Sequence, residues 1–430
     1  MKTSTIPKGQ VKEKPSGLAL ALNEADEEPP SKVAAANRQR FFSHVSEQDW
    51  ADWRWQFRNR ITTVEELTKF ISLSPREEVQ LKLVTLKYPL AITPHYLSLI
   101  NMDNPDDPIR KQAVPSFQEV ALVGVGLQDP LGEVRDSVVP GLVHRYPDRV
   151  LMVLTDICPM FCRHCTRKRE WHKGGWMRTP ADVEAMIDYV RQHEAVRDVI
   201  LSGGDPLTLS TERLEEVIVK LRAIEHVEII RIGSRYPVVL PQRIDDELCA
   251  MLSKHGSIWL NTHFNHPNEL SEESARACDR LLRSGVPVNN QTVLLKGVND
   301  NVETQLELCH GLLKMKVRPY YLFQCDEVQG TEHFRTPVGT GIKIMEQMRG
   351  HTSGLAIPTF VVDLTDGGGK IPLQPNYVLM QAEDELILRN YEGHVFHYRN
   401  PAVTNGQAKC ARRNGRGNGN SQLTLLSSPE

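Results

Sequence analysis

Cys158, Cys162 and Cys165 lie within the ten-residue string DICPMFCRHC. The C-x3-C-x2-C spacing puts three thiolates on one short loop. Each can hold one iron of a cubane cluster, leaving the fourth iron without a protein ligand, whereas ordinary ferredoxin-type clusters use four cysteines. An open iron is useful only when something else binds it. Structural zinc is the competing reading, but it prefers four ligands in paired knuckles, and no second close Cys/His pair follows. His164 is poorly placed for it, between two cysteines. Cys249, Cys278 and Cys309 fall in helical patterns and read as small core residues.

A lysine loop is the second focus. Residues 359–370 read TFVVDLTDGGGK, an apolar run ending in three glycines and Lys370. The glycines permit positive φ and close approach of a ligand. This is no P-loop, because Leu364 and Ile371 stand where Gly and Ser or Thr are required. On the motif alone, a solvated lysine in a surface turn is the simpler reading. The sharper one is a Schiff-base lysine for pyridoxal phosphate.

These residues need a scaffold, and the sequence supplies its outline. Short β-branched runs occur at 150–155, 196–204, 227–234, 257–264, 286–295, 317–324 and 357–363. Helical patterns separate most of them. In TERLEEVIVKLRAI, Leu214, Val217, Ile218, Leu221 and Ile224 recur on one helix face. Thr179-Pro180-Ala181-Asp182 has the form of a capping box with Pro at the first helical position. The middle strands recur at about 30 residues, the size of a βα unit. Such units favour parallel strands with right-handed crossovers, so the expected fold class is α/β: a partial or distorted TIM-type (β/α)6 barrel with a helical N-terminal region and a C-terminal extension. The polar and Gly-rich segments follow the strands, where such sheets carry active sites.

The expected organisation is a disordered tail over 1–38, a helical region over 39–143 and the barrel with its lysine over 144–375. A segment packing on the core (376–402) and a second disordered tail (403–430) complete it. Trp50, Trp53 and Trp55 read as packing residues. With 51 Lys+Arg against 54 Asp+Glu, the formal charge of −3 argues against nucleic acid or an anionic membrane as partner. No apolar run approaches the roughly 18 residues needed to span a bilayer. The N-terminus lacks a secretory signal's apolar core, so the expected compartment is the cytoplasm, where a disulfide framework does not fit.

The cysteine spacing after the first strand resembles the radical S-adenosylmethionine superfamily, in which the open iron is chelated by the methionyl amino and carboxylate groups. Ser202-Gly203-Gly204-Asp205-Pro206 ends the second strand, where that superfamily has a GGE/GGD-type motif against the methionyl amino group. From about residue 40 to about 400 the chain is similar to the lysine 2,3-aminomutase family. DWRWQFRNRI, HRYPDRV (144–150), CRHCTRKR (162–169), VVLPQRI (238–244), WLNTHFNHPNE (259–269), RPYYLFQCD (318–326), EHFRTPV (332–338), RGHTSG (349–354) and PNYVL (375–379) carry the resemblance.

The resemblance implies a 4Fe–4S cluster on Cys158, Cys162 and Cys165, S-adenosylmethionine, and pyridoxal phosphate on Lys370. It assigns Arg145, Tyr146 and Arg149 to the pyridoxal phosphate, and Ser202, Gly203, Gly204, Asp205, His164 and Gln291 to S-adenosylmethionine. Arg167 matches the partner of the substrate carboxylate; Asp326 and Asp363 match the two acids that hold the ε-ammonium of lysine. Two acids call for a cationic side chain, since a glutamate would be repelled there. The implied reaction is exchange of the α-amino group of L-lysine with a hydrogen on C3, giving β-lysine. That C–H is not acidic enough for a side-chain base, so a radical must remove the hydrogen.

Also implied are an electron donor such as flavodoxin or ferredoxin and a homo-oligomer. Two departures stand out. Thr365-Asp366 replaces the family's Pro-Gly before the glycines. Asn301 takes the place of a barrel cysteine, and only Cys410 lies in the tail, so zinc is not expected. Two other readings stay open: an aminomutase for another cationic amino acid, such as arginine or ornithine, and a non-enzymatic Fe–S or zinc-binding structural protein.

Overall fold

Seven of the apolar runs become neighbouring parallel strands. The computed structural model describes residues 30–401, apart from 123 and 172–174. Its main sheet has ten strands in chain order: β1 Ser137–Val139, β2 Leu142–Tyr146, β3 Arg149–Val153, β4 Asp198–Ser202, β5 Ile229–Gly233, β6 Ile258–Thr262, β7 Val288–Leu294, β8 Arg318–Gln324, β9 Thr359–Leu364 and β10 Gly369–Pro372. Strands β3 to β9 pair in parallel. Antiparallel hairpins extend both ends. Among the described residues β1 and β10 pair with no further strand, so the sheet is an open partial barrel there, not a closed one.

The crossovers carry the helices Pro180–Gln192, Thr211–Arg222, Asp246–Ser253, Glu272–Arg283, Val302–Lys314 and Val338–Met348. The capping box at Thr179 is formed, its hydroxyl accepting from Asp182 N–H. Leu214, Val217, Ile218 and Leu221 are buried as the periodicity requires. Alternate strand residues Val150, Met152, Val199, Leu201, Ile230 and Ile232 join this core. Their neighbours Leu151, Ile200 and Arg231 point to the opposite face, as strand alternation dictates, and stay half-exposed.

Two boundaries differ from expectation. Residues 30–38 are not tail but start the helix Pro30–Phe42. Ala34–Ala36 are strong helix formers, and Asn37 Nδ2 donates to the carbonyls of Ser98 (2.9 Å) and Ile100 (2.7 Å), tying the helix down. The main sheet also begins before residue 144, because Gly141 at φ +86° allows β1 to fold back on β2. Trp50 is buried, its ring 5.3 Å from Phe42. Cys278 and Cys309 are buried in helices. Residues 376–401 form a separate antiparallel sheet, β11 Val378–Gln381, β12 Glu385–Arg389 and β13 Val395–Arg399. The tail from 403, with Cys410, lies outside the described residues. Among the described residues no helix is long and apolar enough to cross a membrane.

Candidate active site

The cysteine loop leaves the C-terminal end of β3. Cys165 N–H donates to Cys162 O at 2.9 Å, closing a tight turn. Arg60 Nη1 holds Cys158 O at 2.6 Å. Two donors reach sulfur: Arg235 Nη1 to Cys162 Sγ at 2.9 Å, and Arg167 N–H to Cys165 Sγ at 3.3 Å. Burial, reinforced by the neighbouring thiols, pushes Cys158 and Cys165 up. Burial there disfavours the free thiolates of Cys158 and Cys165, and bound cations would compensate them. Among the described residues no three His, Cys, Asp or Glu side chains converge as ligands of a single ion. A cubane asks for something else, one thiolate per corner, and donors aimed at sulfur suit it. The loop therefore fits such a cluster.

The end of β4 lies against this loop. A Cβ on Gly203, at φ +140°, would sit 2.3 Å from Thr155 O, and one on Gly204 would sit 2.5 Å from the carbonyl carbon of Asp156. Both glycines are thus required by the backbone packing itself. Asp205 is turned inward: one carboxylate oxygen accepts from Leu207 N–H (3.1 Å), the other from Arg235 N–H (2.8 Å). Burial raises it to about 7. His164 is buried, with Nε2 3.3 Å from Asn265 Nδ2, and burial lowers its pKa. On β7, the Gln291 carbonyl, not its amide, contacts His263 Nδ1 at 2.9 Å.

Lys370 lies in the β9–β10 hairpin, directly across from Asp363. Its Nζ is 2.9 Å from Asp363 Oδ1. Asp326, just past β8, is raised to about 7 by burial and the Asp363 charge, against the pull of Lys370 and Arg335. Lys370 N–H donates to the Tyr146 hydroxyl at 3.0 Å. The Arg149 guanidinium lies 3.7 Å from the Tyr146 ring centre. Arg145 pairs with Asp136 (3.0 Å) and Arg149 with Asp148 (2.7 Å). A primary amine, an aromatic ring and two guanidiniums at one hairpin pair suit a phosphorylated aldehyde cofactor with a flat ring.

Arg167 joins the two halves. Its Nη1 donates to Ser202 Oγ (3.1 Å) and Gly203 O (2.9 Å). Its other edge grips Glu133, with Nη2 2.7 Å and Nε 2.9 Å from the carboxylate oxygens. Arg167 and Arg169 hold Glu133 at about 2 despite its burial. The segment that carries Glu133 also reaches the turn after Asp326 and the lysine hairpin. Leu127 bridges to Val328 beside Asp326. Pro130 O accepts from Asp366 N–H at 3.0 Å, and Arg135 Nη1 reaches Asp366 O at 2.6 Å. Asp366, one of the two departures from the family pattern, adopts φ +54° in the lysine hairpin and is fixed by these bonds. Asn301 caps the helix Val302–Lys314, accepting from Thr304 N–H.

Sequence reasoning missed Glu133, Arg235 and His263. Glu133 stood in a stretch read as helical and carries no local signal. Arg235 follows a strand end, and His263 lies in the string WLNTHFNHPNE; a search for polar residues just after each strand would have found both.

The chain matches two family profiles: the radical SAM superfamily over residues 152–309 and lysine-2,3-aminomutase over residues 345–419. It is 55% identical to the L-lysine 2,3-aminomutase of Acetoanaerobium sticklandii, over 85% of this chain and 88% of that protein. It is 56% identical to the L-lysine 2,3-aminomutase of Clostridium subterminale, again over 85% and 88%. The glutamate 2,3-aminomutase of Clostridioides difficile is more distant, 43% identical over 83% of this chain and 85% of that protein. With identity this high across most of both partners, the chain belongs to the lysine 2,3-aminomutase family within the radical SAM superfamily.

Proposed function

We propose that this protein is an L-lysine 2,3-aminomutase that uses a 4Fe–4S cluster, S-adenosylmethionine and pyridoxal phosphate. The observation that carries the substrate is at Lys370. Its ε-ammonium, the same group that ends a lysine substrate, rests 2.9 Å from Asp363, and half-buried Asp326 is near enough to feel both charges. The carboxylate at the end of β9 thus already pairs with a primary ammonium. An anionic side chain would meet two carboxylates there, which favours lysine over glutamate.

When bound, the cluster and S-adenosylmethionine supply one-electron, hydrogen-abstracting chemistry, and pyridoxal phosphate supplies a π-system for the migrating nitrogen. The chain's own residues do the rest. Cys158, Cys162 and Cys165 hold the cluster, and the end of β4, with His164 and the β7 residue Gln291, borders the S-adenosylmethionine site. Lys370 offers the amine that anchors pyridoxal phosphate. Tyr146 supplies a ring face, and Arg145 and Arg149 the charge for its phosphate. Arg167 binds the substrate carboxylate and the two aspartates bind its ammonium, so both ends of lysine are fixed. Fixing both ends is what sets C3 at one place, and positioning of this kind can account for a large part of a rate enhancement.

The test is an anaerobic assay of the reconstituted protein with L-lysine, dithionite and a panel of arginine, ornithine and glutamate. β-Lysine is the expected product, and the other three should turn over poorly. Lys370→Ala should lose the pyridoxal chromophore and nearly all turnover while keeping the cluster spectrum. Full turnover by that variant refutes the assignment.

A further inference from the structure

Arg235 is used by no step described so far, yet it is among the most tightly held side chains near the cysteine loop. It follows β5, and its side chain is 8% exposed. Asp205 fixes its backbone N–H at 2.8 Å. Its Nε donates to His263 O at 3.0 Å. Nη2 donates to Glu269 Oε1 at 2.5 Å and to Gln112 Oε1 at 2.7 Å. Glu269 is itself wholly buried and also accepts from the Tyr96 hydroxyl at 2.6 Å. With Nε and Nη2 anchored, the planar fork cannot rotate. Only Nη1 remains, and it points at Cys162 Sγ, 2.9 Å away.

An ion pair serving the fold alone would be complete with Glu269 and Gln112. The extra nitrogen on sulfur has a different consequence. A positive donor stabilises a thiolate ligand, and stabilises it more when the cluster has gained negative charge. Reduction adds one electron and breaks no bond, so the reduced state benefits more and the potential rises. We propose that Arg235 is a positioning residue that donates to the Cys162 thiolate and raises the reduction potential of the cluster. This rests on the reading of the three cysteines as cluster ligands.

The experiment is an EPR-monitored redox titration of the reconstituted protein. Arg235→Lys keeps a cation for Glu269 but lacks the fork. Arg235→Gln combined with Glu269→Gln removes both charges, so no buried carboxylate is stranded. The midpoint should fall in Arg235→Lys and fall further in the double variant, with iron and sulfide content retained. In the unmodified protein, arginine isotopically labelled at its guanidino nitrogens should show a weak nitrogen coupling to the reduced cluster by pulsed EPR. Arg235→Lys should lose it. Unchanged midpoints in cluster-loaded variants, or no such coupling in the unmodified protein, would overturn the inference; the second measurement decides if the variants do not fold. An unmodified protein that assembles no cluster overturns the functional reading itself, and this inference with it.

Discussion

On the proposed reading, in which Asp326 holds the substrate ammonium, Asp326 sets the expected pH dependence of lysine binding. Burial and the Asp363 charge raise its carboxyl to about 7. A protonated acid cannot form an ion pair with the substrate ammonium. Binding must therefore expel the proton, because a nearby cation favours the charged carboxylate. The sign follows: affinity for lysine is greatest above the folded value and falls as pH drops through it. Below about 7 the KM for lysine should rise, by up to about tenfold per pH unit for one linked proton. Asp326→Asn should remove that acid-side rise and weaken binding by roughly tenfold to a hundredfold, the size of a hydrogen bond to a charged group. A KM profile in Asp326→Asn with the same acid-side rise would assign the titration to another group.

At the scale of elements, the cysteine loop is secured from behind by a buried ion triad. Arg163 points away from the sulfurs and meets Glu119 through Nη2 (2.6 Å) and Nε (3.0 Å). Lys168 Nζ reaches the same carboxylate at 2.8 Å and Gly330 O at 2.7 Å. The side chains of all three are at most 1% exposed. The triad thus ties the loop after β3 to the short helix Gln118–Ala121 and to the turn after Asp326. Two buried cations need that carboxylate; even with it, burial holds Lys168 down at about 8. Glu119→Gln should cost about 3–5 kcal/mol, as breaking a buried pair does. A large drop in apoprotein Tm and poorer cluster loading are expected, and a Tm equal to the parent's would refute the role.

At the scale of the molecule, the sheet β11–β13 meets the main body through Arg389 and Tyr391. Arg389 Nη1 meets Glu346 at 2.6 Å. Gly350, at φ +85°, leaves no room beneath Tyr391: a Cβ there would lie 2.3 Å from the ring. Gly350→Ala should therefore loosen this sheet without unfolding the ten-stranded one. Hydrogen exchange should quicken across residues 378–399 and stay unchanged in β3–β8, since local opening follows local contacts. Unaltered exchange in β11–β13 would show that the docking does not depend on Gly350.

Much of this architecture could be read along the chain. The seven parallel strands, the helix over Thr211–Arg222 and the cap at Thr179 follow from period-two and 3.6-residue patterns, which are local. The cysteine trio was legible as a short motif with fixed spacing, whereas the GGD turn and Lys370 took their meaning from the family resemblance. The tertiary structure alone decided the rest. It turned residues 30–38 into a packed helix and placed β1 and β2 at the sheet edge. It left the barrel open and turned Asp205 inward. It set Glu133 on Arg167, Arg235 on Cys162, and Lys370 beside Asp363 and Asp326. Glu133 and Arg167 are 34 residues apart in sequence, and Arg235 and Cys162 are 73 apart. Spacing along a chain states what each residue can do, but partners so distant are chosen only when the strands that carry them are packed side by side.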